Sequence, residues 1–153
     1  MKLTNFFGKV LLVCVLLSCK TGFAQTSTPQ AAGLPNTPNE KVVRDVYAAY
    51  EKKDWNMLTS LFAEGFTFTS PVDDHIDLKE YKVRCWPNAY NIKKFNIEKL
   101  VVDGDDVFVL YNGWNNDGKE FRNTEYFKLK AGKIKEFTCF FGPGISFPNN
   151  TKK

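Results

Sequence analysis

The spacing of apolar positions changes along the chain, and each change marks a new element. Val43, Val46, Tyr47 and Tyr50 recur at intervals of three, one and three, the inward stripe of a helix predicted from about Pro38 to Lys53. Thr37-Pro38-Asn39-Glu40 opens it with a capping hydroxyl, a proline at the first helical position and a glutamate that returns to the orphan backbone N–H groups. Asp54 caps a second helix whose Trp55, Leu58, Leu61 and Phe62 share one side, stopped near Gly65. From Phe66 the period falls to two: Phe66, Phe68 and Ser70 alternate with Thr67 and Thr69 until Pro71 ends the strand. Val72 to Ile76 reads as a loop. It leads to a third helix capped by Asp77, with Glu80 in the return position and Leu78, Tyr81, Cys85 and Trp86 facing inward. Pro87 ends that helix, because the residue before a proline is pushed out of the helical region.

The remainder reads as strands, at about Lys94 to Val102, Asp106 to Asn115, Lys119 to Lys130 and Lys133 to Phe141. Asp103-Gly104-Asp105, Asp117-Gly118 and Ala131-Gly132 connect them, each with a residue tolerant of positive φ, so these are hairpins and the predicted sheet is antiparallel. The fold class that follows is α+β. Val107 to Tyr111 is apolar on both faces, so one face meets the helices and the other meets something else, of which a second subunit is the simplest.

The ends of the chain change how its charge is read. Lys2 and Lys9 flank a polar start, and Val10 to Leu17 is an apolar run too short for a bilayer crossing, which needs about 20 residues. This is a cleaved export signal. Cleavage after Gly22-Phe23-Ala24 leaves a soluble periplasmic or secreted protein, with residues 1–24 removed. Cleavage at Leu16-Leu17-Ser18-Cys19, a lipobox-like run, removes residues 1–18 and leaves a lipid anchor on Cys19, the only membrane attachment expected. Residues 25–36, rich in Pro, Ser, Thr and Gly, read as a disordered spacer, 37–142 as the domain and 143–153 as a flexible tail. The first 24 residues hold three lysines and no acid, so their removal takes 21 basic residues to 18 against 17 acidic, and the net charge from +4 to +1. Nothing in that balance marks a nucleic-acid binder. Two cysteines, Cys85 and Cys139, stay in the domain, both predicted inward; they either pair in an oxidising compartment or pack as small apolar side chains.

This order of elements resembles the nuclear-transport-factor-2-like superfamily, and within it the SnoaL-like domains, over Thr37 to Gly142. The strongest parts are Asp54-Trp55 through Phe62, Phe66 to Pro71, and Phe127 through Gly132-Lys133-Ile134 to Phe141-Gly142. The resemblance implies a curved sheet wrapped around the helices as a cone with an apolar cavity at its open end, in a family that includes isomerases, cyclases, hydrolases, dehydratases and non-catalytic binding domains. Where its ketosteroid isomerases carry an aspartate base before the proline of the first strand, this chain has Ser70. Their donor tyrosine falls on Val46, with Tyr47 expected to point elsewhere, and their second, acidic donor falls on Glu125. A serine is no base without an activating neighbour, so isomerisation of that type is not expected.

The candidate chemistry centres on Glu125. Phe121, Asn123, Glu125, Phe127 and Leu129 share the inward face of their strand, where desolvation raises a carboxyl pKa and fits it for acid, base or hydrogen-bond work. The alternative is a structural pair with a tyrosine of the first helix or with an arginine. His75, within Asp73-Asp74-His75-Ile76-Asp77, is a second catalytic candidate at the mouth, or simply a solvated loop histidine. Contiguous acids without ligand spacing give no metal site, and no cofactor is implied. Ser70, Trp86, Tyr111, Asn123, Glu125, Phe137, Cys139 and Phe141 are the predicted cavity wall, with Tyr90 and Trp114 as further aromatic candidates. The partners expected are therefore a small apolar or aromatic ligand and a second copy of the chain through the outer sheet face. A binding domain, an acid–base enzyme and a non-catalytic dimerisation module all fit the sequence.

Overall fold

A computed structural model describes residues 37–142. The export signal, both cleavage sites, Cys19, the 25–36 spacer and the 143–153 tail lie outside the described residues. Helix α1 (Pro38–Lys52) begins as the sequence requires: the Thr37 hydroxyl accepts from Glu40 N at 3.1 Å and Pro38 occupies the first turn. Lys53 closes it in the left-handed conformation, and its ammonium reaches the carbonyls of Tyr50 and Ile92, fastening the helix end to the sheet. Asp54 caps α2 (Trp55–Ser60) by accepting from Met57 N at 2.8 Å.

Here the structure departs from the helical spacing. Strand β1 (Phe62–Ser70) starts four residues before the predicted Phe66, because Phe62 pairs with Ile134 and Leu61 O accepts from Ile134 N. Gly65, at φ 64°, allows a bulge in which Phe62 and Phe66 stack on the core side. The predicted loop after Pro71 contains a short strand, β2 (Asp73–Ile76), folded back antiparallel on β1 with Ile76 buried. Helix α3 (Leu78–Arg84), capped by Asp77, ends before Pro87 as expected, and a 3-10 turn (Trp86–Asn91) follows it.

The meander then runs through β3 (Ile92–Asp103), β4 (Asp106–Asn115), β5 (Glu120–Lys130) and β6 (Lys133–Phe140). The order β2-β1-β6-β5-β4-β3 makes one open sheet. Every hairpin is antiparallel as predicted, but β1 lies parallel to β6, so the sheet is mixed. That pairing joins strands separated by all the intervening elements, and no turn sequence encodes it.

One face of the sheet curves around α1. Val43, Val46 and Ala49 are buried there against Val107, Val109 and Phe127. Burial of each large side chain in this layer stabilises the fold by roughly 1.5–3 kcal/mol. Val107, Val109 and Tyr111 face that core, while Phe108 and Phe140 are about half exposed on the outer face and Phe108 leans on Tyr126. The doubly apolar run is thus resolved into an inner and an outer set. Among the described residues no helix is long and apolar enough to cross a membrane.

Gly113 lies opposite Phe121, whose ring covers it so closely that an added Cβ would stand 2.3 Å from Cζ. Gly113→Ala is therefore expected to destabilise the domain by about 1–3 kcal/mol, because the ring has to leave its packed rotamer. Urea denaturation checks this, and an unchanged midpoint would show that the contact is slack.

Candidate ligand-binding site

Between α1, α3 and the concave sheet face lies a cavity of about 370 Å³, within the range of small-molecule sites. Period-two alternation puts Asn123 and Glu125 on its β5 wall, opposite Tyr111 and Cys139 of the flanking strands. Glu125 is 6% exposed. Tyr47 donates to its Oε2 at 2.6 Å and Tyr111 to its Oε1 at 2.8 Å. Cys139 stands directly across the ladder from Glu125. Asn123 Nδ2 supports the group from behind, donating to the Tyr111 oxygen at 3.2 Å and to Cys139 Sγ at 3.8 Å.

Burial pushes the Glu125 pKa up to about 7, and the hydrogen bonds from Tyr47, Tyr111 and Cys139 hold it from rising further. The carboxyl is therefore poised between its acid and base forms near neutral pH, which is what proton transfer needs. Burial also raises the tyrosine hydroxyls and the Cys139 thiol, so they stay protonated and serve as donors.

A second polar feature sits on the helix side. The hydroxyls of Tyr50 and Tyr81 hydrogen-bond to each other. Two hydroxyls carry two hydrogens and their bond uses one. Both tyrosines line the cavity, so the hydrogen left over belongs to the pair on that side.

Seven of the predicted wall residues line the cavity: Ser70, Tyr111, Asn123, Glu125, Phe137, Cys139 and Phe141. Trp86 does not. It is buried behind the wall, its ring against Tyr50 and Trp55. Tyr90 is 60% exposed, and Trp114 is outside under the Lys94 ammonium. His75 is also away from the lining. Its ring is exposed, its φ is 49°, and its Nδ1 meets Asp74 Oδ1 at 2.5 Å. The β1–β2 hairpin turns Asp73 inward instead, opposite Ser70 in the ladder. Asp73 accepts from Ser70 Oγ at 2.9 Å and pairs with Arg84 at 2.5 Å. The carboxylate missing at position 70 is thus replaced by one three residues later, which a strand ladder could bring back and a loop reading could not. The alternative pairing of Glu125 with a tyrosine of the first helix is formed, and the tyrosine is Tyr47, which points inward and not elsewhere as expected.

Cys85 and Cys139 are both free, so the disulfide left open by the sequence is not formed. Burial, with the Asp73 charge adding to it and Arg84 opposing, pushes the Cys85 thiol up to about 12, so neither cysteine is a ready nucleophile. Among the described residues no three His, Cys, Asp or Glu side chains converge as metal ligands.

An open curved sheet around a helix, with a polar cluster inside, is the nuclear-transport-factor-2-like architecture. The SnoaL-like domain family matches residues 43–137, more than half of the chain, and the chain belongs to that family. Among solved structures, a nuclear-transport-factor-2-like protein of unknown function from Cytophaga hutchinsonii ATCC 33406 is 20% identical, with 72% of this chain and 96% of that one covered at a TM-score of 0.58. A candidate ketosteroid isomerase from Kribbella flavida DSM 17836 is 16% identical, with 71% and 81% covered at a TM-score of 0.60. A candidate SnoaL-like polyketide cyclase from Jannaschia sp. CCS1 is 16% identical, with 72% and 90% covered at 0.57. At these identities the likeness is one of fold. No curated protein matches the chain.

The raised pKa of Glu125 fixes the sign of a pH effect. Between its ordinary value of 4.5 and about 7 the native state holds a proton that the unfolded chain has lost, so this contribution to stability falls as pH rises through the window. Denaturation at pH 5 and pH 8 should show wild type losing about 2–3 kcal/mol relative to Glu125→Gln, which has nothing to titrate there. A wild-type-to-variant difference that is the same at both pH values would mean that Glu125 is not desolvated.

Proposed function

We propose that this is an exported SnoaL-like domain that binds a small apolar or aromatic ligand in its internal cavity, with Glu125 as the polar anchor. The carrying observation is the cavity of about 370 Å³, walled by aromatic side chains and furnished with a carboxyl already organised by Tyr47 and Tyr111. A purely structural module would fill this space with side chains. Neighbours in fold that are described as candidate cyclase and isomerase support a small-molecule site. Export rests on the first 24 residues, with the lipid anchor on Cys19 as its alternative form. Dimerisation rests on the outer face, where Phe108, Leu110, Tyr126 and Phe140 form an apolar strip across neighbouring strands.

The second reading is general acid–base chemistry in the same cavity, of an isomerase, cyclase or hydratase kind. The Glu125 pKa of about 7 favours it, and so does Asp73 as a second carboxylate in the lining, in the part first expected of His75.

A thermal-shift screen of small aromatic compounds on wild type and Glu125→Gln tests the binding reading. Hits are expected to raise the melting temperature of wild type and to lose roughly three- to tenfold in affinity in the variant, the net worth of one hydrogen bond. Hits indifferent to the change would remove Glu125 as the anchor. Sedimentation tests the partner: a dimer at micromolar concentration is expected, and Phe140→Lys should dissociate it.

A further inference from the structure

In the Glu125 cluster one buried oxygen is left without a donor. With Glu125 ionised, Tyr47 and Tyr111 direct their hydrogens at the carboxylate. The Tyr111 oxygen is then left only to accept, and the Cys139 sulfur stands beside it as a second acceptor. Both lie against the side-chain amide of Asn123, at 3.2 and 3.8 Å, so the amide must present its NH2 group to them. Turned over, it would set its carbonyl oxygen against two sets of lone pairs. This orientation leaves Asn123 Oδ1 without a donor. The residue is only 3% exposed and the oxygen is sealed from water.

Buried amide oxygens are nearly always paired, and one left alone bears its full desolvation cost. Asp73 Oδ1, equally buried, has the Arg84 guanidinium beside it. Asn123 Oδ1 has no such neighbour, and it belongs to the cavity wall. Phe141, packed against the core, flanks the same wall.

We infer that Asn123 is the specificity-determining residue of the cavity, accepting a hydrogen bond from a hydroxyl or N–H on the ligand, so that the site selects neutral hydroxylated aryl compounds over their O-methylated counterparts. This rests on the reading that the cavity holds a small ligand. The chemistry is one-sided: an ether, ester or ketone oxygen placed there meets lone pair with lone pair, whereas a phenolic hydroxyl completes the cluster. The aromatic wall supplies the preference for a flat body.

Two probes of nearly equal shape, 2-naphthol and 2-methoxynaphthalene, make the test, with affinities read by isothermal titration on the purified protein. Wild type is expected to bind 2-naphthol about tenfold more tightly, and Asn123→Leu to bring the two within about twofold, mainly by weakening 2-naphthol. Should the leucine variant fail to fold, as judged by its circular dichroism melt, Asn123→Ala replaces it with the same expectation. Equal affinities in wild type overturn the inference while leaving the cavity as a binding site. Preference persisting in the Asn123 variant overturns it too, since another acceptor then reads the hydroxyl. Failure of both probes to bind wild type at millimolar concentration removes the ligand-binding reading along with it.

Discussion

The hydrogen bond from Tyr47 to Glu125 joins the helix layer to the middle of the sheet across 78 residues of sequence. It matters because a carboxyl at that depth is costly to hold in either protonation state unless its oxygens are matched. Tyr111 supplies the rest of the matching from the neighbouring strand, and Asn123 donates to it and to Cys139 from behind. The cavity therefore begins from a rigid polar floor. Its aromatic walls pack edge to face around that floor, with Tyr47 in contact with Phe95, Tyr111 and Phe127. Loosening the Glu125 cluster would release helix, sheet and cavity together.

The rest of the lining shows how one fold can be refitted. Serine stands where a base stands in the ketosteroid isomerases that the sequence resembles, yet the β1–β2 hairpin returns the Asp73 carboxylate to that hydroxyl and ties it to Arg84. The Tyr50–Tyr81 pair leaves one hydrogen for the cavity, Glu125 can hold or give a proton, and Asn123 holds an unmatched acceptor. These groups differ in what they ask of a ligand, which is the physical basis of selectivity in a cavity whose surface is mostly apolar.

Much of this was legible in the chain. The caps at Thr37, Asp54 and Asp77 act where the sequence places them, because each is settled by local hydrogen bonds within one turn. The alternation through β5 put Asn123 and Glu125 inside without ambiguity, since a strand has only two faces. The breakdown came where distant segments compete with local spacing. Phe62 carries helical spacing but joins β6, and Asp73 to Ile76 carries loop composition but pairs with β1.

Local pattern thus determined the elements, the α+β class and the inward acid. Tertiary structure decided the parallel β1–β6 pairing, which tyrosine of α1 meets Glu125, the exclusion of His75 and Trp86 from the cavity and the entry of Asp73. The physical reason is range. Caps, turns and periodicity are set by neighbours within about four residues. Which oxygen meets which hydrogen inside a cavity is set by side chains that only the finished fold brings together.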